Sequence, residues 1–267
     1  MSGTKQLSRR KALLSIASAA AVAMVSHSVE AASVKPTIIL VHGAMADSSS
    51  WTGVIPLLVH DGYTVVAVAE PLRSLSGDSE YLGSILRSTP GKVVVVGHSY
   101  GGSVITDVTD PENKIKALVY VAAFAPDKGE SALQLIGRYK GSELGAALAQ
   151  PILLADGSHD LMVDPTKFKA PFAADLPDDR ANLMAVTQRP VNDKALNEPA
   201  TNVLWNTHPA FFVYGDSDKS IPPALQASMA ERAHSRGTVV VPGASHLVML
   251  SHPDSVVNVI EEAADAQ

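Results

Sequence analysis

Three short segments of this chain carry residue types suited to covalent catalysis. Gly97-His98-Ser99-Tyr100-Gly101 sets a serine between two glycines. Gly215-Asp216-Ser217-Asp218 offers two carboxylates, and Gly243-Ala244-Ser245-His246 offers an imidazole. A serine hydroxyl becomes a useful nucleophile when a base takes its proton and a third group orients that base. Ser99, His246 and Asp218 are the candidate nucleophile, base and acid. Their joint chemistry would be acyl transfer, with His246 relaying the proton and Asp218 holding the imidazole. Asp216 is a competing acid, expected instead to cap its turn, and Asp127 is a third. His252 and His208 are alternative bases, but each precedes a proline and reads as a loop or helix-start residue. His42 and His98 read as structural. An oxyanion would need two backbone N–H donors. Tyr100, the residue after the serine, and Ala44, in the turn His42-Gly43-Ala44, are the candidates.

Positioning these residues requires a scaffold that delivers all of them to one edge. Val93-Val94-Val95-Val96, just before the serine motif, is a β-branched run that reads as a fully buried strand. The small residues Gly101, Gly102 and Ser103 lead into a helix, so Ser99 falls on a strand-to-helix turn. Further apolar strands are expected at 37–42, 64–69, 115–122, 210–214 and 238–241. Helices are expected around 51–60, 78–87, 222–234 and 253–264. Continuous apolar strands separated by helices imply a mainly parallel sheet covered on both faces, a three-layer α/β/α architecture. Ligands bind such sheets beyond the carboxyl ends of the strands. The acid and histidine segments each follow a strand, as the serine does.

Residues 127–208 break the strand–helix rhythm and are too long for a plain loop. Helical fragments around 131–139, 166–174 and 178–187, punctuated by prolines, read as a mostly helical lid inserted into a core of residues 32–126 and 209–267. Such a lid would shape a pocket and exclude water.

Composition narrows the function classes. Apolar residues make up 46% and charged residues 18%, and the net charge is −6. With no Lys/Arg cluster beyond the N-terminus, this argues against a nucleic-acid surface. The chain has no cysteine, which excludes disulfides and thiolate chemistry. Ser8-Arg9-Arg10-Lys11, the apolar run 12–25 and Val29-Glu30-Ala31 have the form of a twin-arginine export signal over residues 1–31. The run is short for stable membrane insertion. The expected destination is the periplasm or beyond.

With these residues in place, the chain resembles the α/β-hydrolase superfamily over residues 36–266. It looks most like the compact branch of plant methyl-ester esterases, hydroxynitrile lyases and bacterial esterase-like proteins. The resemblance rests on LVHGA (40–44) with Trp51, VGHSYGG (96–102), VYVAAFAPDKGES (119–131), YGDSDKSIPP (214–223) and PGASHLVMLSHP (242–253). It implies a six-stranded core, a triad on Ser99, Asp218 and His246, and oxyanion donors on Ala44 and Tyr100. The lyases of this branch carry a threonine after the strand-end histidine and a lysine after the catalytic histidine. Here those positions are Gly43 and Leu247, so no ammonium is at hand for departing cyanide, and Gly43 is expected to leave room beside the oxyanion site. Both favour hydrolysis of a small-molecule ester over cyanohydrin cleavage. Lactone opening, perhydrolysis and slow-turnover ligand binding are the other readings. No metal or organic cofactor is called for. Homodimerisation is implied by the resemblance alone. The substrate pocket is expected to be apolar, drawing on Gly43, Met45, Tyr100, Phe124 and Leu247, with Leu161, Met162, Phe168 and Trp205 from the lid.

Overall fold

The computed structural model describes Met1 and residues 35–266; the export-signal segment otherwise lies outside the described residues. Six parallel strands form the central sheet in the order β2-β1-β3-β4-β8-β9. They are β1 (Thr37–Val41), β2 (Val65–Val68), β3 (Val93–His98), β4 (Ile115–Val121), β8 (Ala210–Gly215) and β9 (Gly237–Val241). Between β4 and β8 the chain adds β5 (Ile152–Leu153), β6 (His159–Leu161) and β7 (Val191–Asn192), which pair antiparallel as a second, small sheet.

The helices are α1 (Ile55–His60), α2 (Leu75–Ser88), α3 (Tyr100–Asp107), α4 (Ala132–Gly137), α5 (Leu144–Ala147), α6 (Lys169–Phe172), α7 (Asp178–Val186), α8 (Asp193–Asn197), α9 (Pro223–Arg232), α10 (Val248–Ser251) and α11 (Pro253–Asp265). Every residue of β3 is buried. Successive strand side chains point to opposite faces, so helices must cover the sheet on both sides. Helix α3 packs on β3 and β1, and α11 packs on β4 and β8. The α11 face is set by Val256, Val257, Val259, Ile260, Ala263 and Ala264, all buried, at helical spacing.

Register brings the strand ends together. Val41 pairs with Gly97, His98 with Val121, Val121 with Val213, and Gly215 with Val241. The segments that follow β1, β3, β4, β8 and β9 therefore leave from one edge of the sheet.

The stretch 127–208 differs from the helical reading of the sequence. Helices α4, α6 and α7 fall within the expected fragments, but the small sheet does not appear in that reading. Its strands are two or three residues long. Alternation cannot be read from so few positions.

Candidate active site

The serine turn is built by close packing. Ser99 adopts φ 52° and ψ −121°, a backbone that side chains other than glycine rarely take. Three bonds hold it there. Its N–H donates to the Val121 carbonyl, and its own carbonyl accepts from Gly102 and Phe124. A side chain cannot be added to the neighbouring helix, since a Cβ on Gly102 would lie 2.2 Å from the Phe124 carbonyl oxygen. Across the site, a Cβ on Gly43 would lie 2.6 Å from the Ser99 Cβ. Gly43 thus lets its turn close on the nucleophile, and the room beside the oxyanion site expected from the sequence is not found on the side a Cβ would occupy.

His246 lies in the loop after β9 and is fully buried. Its Nδ1 sits 2.8 Å from Asp218 Oδ2. Asp218 is itself fully engaged. Its Oδ1 accepts from the Ser220 and Ile221 backbone N–H groups, and Oδ2 also accepts from Gln226 Nε2. A carboxylate fixed by so many donors has little rotational freedom, which fixes the imbalance of charge facing Nδ1. His246 Nε2 is buried with no hydrogen-bond partner among the described residues. An unused ring nitrogen is what proton transfer to a bound reactant requires.

The competing acids and bases named from the sequence each have a partner. Asp216 is exposed and accepts from Ser217 Oγ and the Gly243 N–H, so it caps its turn. Asp127 accepts from the Lys128 N–H. His252 meets Ser251, and His208 meets Asp110 at 3.1 Å. His42 Nε2 accepts from the Glu70 N–H, so Nδ1 carries the proton given to the Gly43 carbonyl. Burial pushes the His42 pKa down. His98 donates from Nε2 to the His246 carbonyl, and its ring centroid lies 4.7 Å from that of His246. Burial, and then the neighbouring His246, push the His98 pKa well down. Both histidines are held neutral.

The Ala44 and Tyr100 N–H groups find no acceptor among the described residues. The Tyr100 side chain runs the other way. Its hydroxyl donates to Asp78 Oδ2 at 2.8 Å, which leaves the backbone, not the ring, for the serine side.

A cavity of about 450 Å³ is lined by Met45 and Leu161 together with Leu133, Ile136, Leu144 and Leu148. Met45 follows Ala44, and the cavity walls are mainly apolar. The other expected pocket residues lie outside this wall. Phe168 is buried in a stack on Phe172 at 5.0 Å, and Trp205 donates from Nε1 to the Pro126 carbonyl. Leu247 is fully buried and donates its N–H to the Phe172 carbonyl. Phe124 is buried, with its backbone N–H donating to the Ser99 carbonyl, and Met162 is half-buried. All but Met162 are apolar residues that packing claimed, a fate that residue type alone does not reveal. Gln226 and Phe172, by contrast, were not singled out from the sequence. Gln226 sits in α9, eight residues beyond Asp218, and Phe172 comes from α6. No local pattern announces either.

The chain matches the α/β-hydrolase family over residues 38–259 and belongs to it. The α/β hydrolase nvfD of Aspergillus novofumigatus is 28% identical over 253 residues, which cover 86% of this chain and 97% of that one. Methylesterase 1 of Arabidopsis thaliana is 25% identical over 255 residues, 86% of this chain and 97% of its own. The crystal structure of polyneuridine aldehyde esterase shares the fold, with a TM-score of 0.76 at 20% identity over 86% of this chain and 100% of that one.

Proposed function

We propose that the chain is a serine carboxylic-ester hydrolase acting through an acyl-enzyme. The observation that carries this reading is the buried 2.8 Å contact between His246 Nδ1 and Asp218 Oδ2, with Nε2 left free. Ser99 Oγ attacks the ester carbonyl carbon and passes its proton to His246 Nε2. The oxyanion takes hydrogen bonds from the Ala44 and Tyr100 N–H groups. The carbon–alkoxy bond then breaks, the alcohol leaves with the proton from His246, and the acyl group stays on Ser99. Water attacks this ester, giving a proton to His246, which returns it to Ser99 Oγ as the acyl–Oγ bond breaks and the acid product leaves. Asp218 stays ionised throughout and balances the imidazolium. The scheme calls on no cofactor. Leu247, where the lyases of this branch carry a lysine, supports ester hydrolysis over cyanohydrin cleavage, while the similar proteins include both a methylesterase and an α-hydroxynitrile lyase. The form of the N-terminus supports twin-arginine export to the periplasm or beyond.

An activated-serine phosphonate probe should label the wild-type chain at Ser99 and fail to label Ser99→Ala. The same substitution should lower turnover of p-nitrophenyl esters by about three orders of magnitude or more. A Ser99→Ala variant with near-wild-type turnover would move the nucleophile elsewhere. A cyanohydrin cleaved faster than any ester, in the same assay series, would replace hydrolysis with lyase chemistry.

A further inference from the structure

One short segment of the 127–208 stretch is fastened to the loop that carries His246. The Phe172 carbonyl, at the end of α6, accepts from the Leu247 N–H and from Ser245 Oγ, both at 3.1 Å. Those are the residues on either side of His246. The Phe172 ring meets the His246 ring edge-on, at 5.2 Å between centroids and 89° between planes. His98 lies against the same imidazole, so His246 sits between two rings. One residue earlier, the Pro171 carbonyl accepts from Ser220 Oγ at 2.8 Å, in the loop after Asp218. The same four-residue helix is therefore tied beside both the acid and the base.

Asp175 closes this arrangement. Its Oδ1 accepts from Ser245 Oγ, whose single hydrogen is shared between Asp175 and the Phe172 carbonyl. Its Oδ2 lies 3.7 Å from His252 Nδ1. Burial alone would raise the Asp175 pKa, but hydrogen bonding, with Ser245 foremost, outweighs it and holds the carboxyl below the usual range. Ser245, Ser251 and His252 all lie within six residues of His246 along the chain. A charge-assisted hydrogen bond is about twice as strong as a neutral one, so an ionised Asp175 is the firm end of the strap.

We propose that Asp175 is a positioning residue: through Ser245 and the α6 strap it holds the His246 imidazole in the orientation that serves both Asp218 and Ser99. This rests on the serine-hydrolase reading. An imidazole left to rock by about 1 Å would lose up to about a hundredfold in rate without losing substrate affinity.

The test uses the full-length chain with Asp175→Ala, Asp175→Asn and Ser245→Ala. The readouts are kcat and KM on p-nitrophenyl acetate, and the far-downfield proton resonance of the His246 Nδ1–H, which needs no substrate. Asp175→Ala should lower kcat about tenfold or more, leave KM within about twofold, and broaden the resonance through exchange with water. Asp175→Asn keeps an acceptor oxygen for Ser245 and should recover most of the kcat loss. Asp175→Ala and Ser245→Ala combined should be little worse than either alone, because they break one interaction. Wild-type kcat and a sharp resonance in Asp175→Ala would overturn the proposal, as would a rise in KM alone. If Asp175→Ala does not fold, Ser245→Ala decides by the same two readouts: a lower kcat with a broadened resonance supports the proposal, and wild-type kcat with a sharp resonance overturns it. Loss of the serine reading would show separately, as persistent turnover in Ser99→Ala, while the resonance would still report on Asp175.

Discussion

At Gly43 a hydrogen atom separates two functional turns. A Cβ there would stand 2.6 Å from the Ser99 Cβ, 3.0 Å from His98 Nδ1 and 3.0 Å from the His98 carbonyl oxygen. None of these can yield cheaply. Ser99 is pinned by three backbone hydrogen bonds, and His98 is buried beneath His246. A side chain at 43 must therefore push back its own turn, which carries the Ala44 N–H. Gly43→Thr should lower kcat/KM for p-nitrophenyl acetate by about a hundredfold, the cost of misplacing a donor by about 1 Å. Thermal melting alongside the kinetics separates this from unfolding. A Gly43→Thr variant with wild-type kcat/KM would mean the turn has slack that the packing does not show. A glycine there lets the first turn close on the nucleophile, as its place after β1 suggests, and that close approach rather than spare room is what the structure shows.

At the level of elements, α4 shows how a local rule shapes the apolar cavity. Ser131 Oγ accepts from the Gln134 N–H at 3.2 Å, while Gln134 Oε1 accepts from the Ser131 N–H at 3.1 Å. This capping box satisfies two donors at the start of a helix that sets Leu133 and Ile136 in the cavity wall. Ser131→Ala should cost about 1 kcal/mol, read as a lower urea midpoint with unchanged slope. A changed slope would mean that more than the cap had been lost.

The same scale marks what could be read ahead of the coordinates. Continuous apolar runs such as Val93–Val96 and the alternation with amphipathic helices made the six-stranded sheet legible, because each element obeys its own period. The Asp218 and His246 segments were legible because each follows a strand. The α6 strap was not. Its contacts join Phe172 to Ser245 and Leu247, about seventy residues away, and nothing in a four-residue helix foretells its partner. The cavity wall was only partly legible for a related reason. Leu161 lines it and Phe168 does not, although both are apolar residues of the same stretch.

For the molecule as a whole, one buried carboxyl ties stability to pH. Glu70 follows β2 and is fully buried, and neither of its carboxyl oxygens has a hydrogen-bond partner among the described residues. Burial, then the nearby Asp78 carboxylate, push its pKa well above the usual value, with Arg189 opposing weakly. Burial also raises the pKa of Asp78, although the Tyr100 hydroxyl bond works against it. The unfolded chain releases the Glu70 proton near the ordinary glutamate pKa of about 4.3, while the folded chain still holds it. Above that pH the native state binds more protons than the unfolded state, so stability falls as pH rises, until the folded pKa is passed. Glu70→Gln keeps the shape and removes the ionisation. Its Tm should match or slightly trail the wild type near pH 4.5. It should then gain on the wild type steadily toward pH 8, by roughly 2–4 °C for each kcal/mol relieved in a chain of this size. Asp78 is present in both proteins, so their difference reads Glu70 together with its coupling to Asp78. If the wild type instead gains on Glu70→Gln as pH rises, Glu70 is ionised and paired in the native state, and the buried neutral carboxyl is wrong.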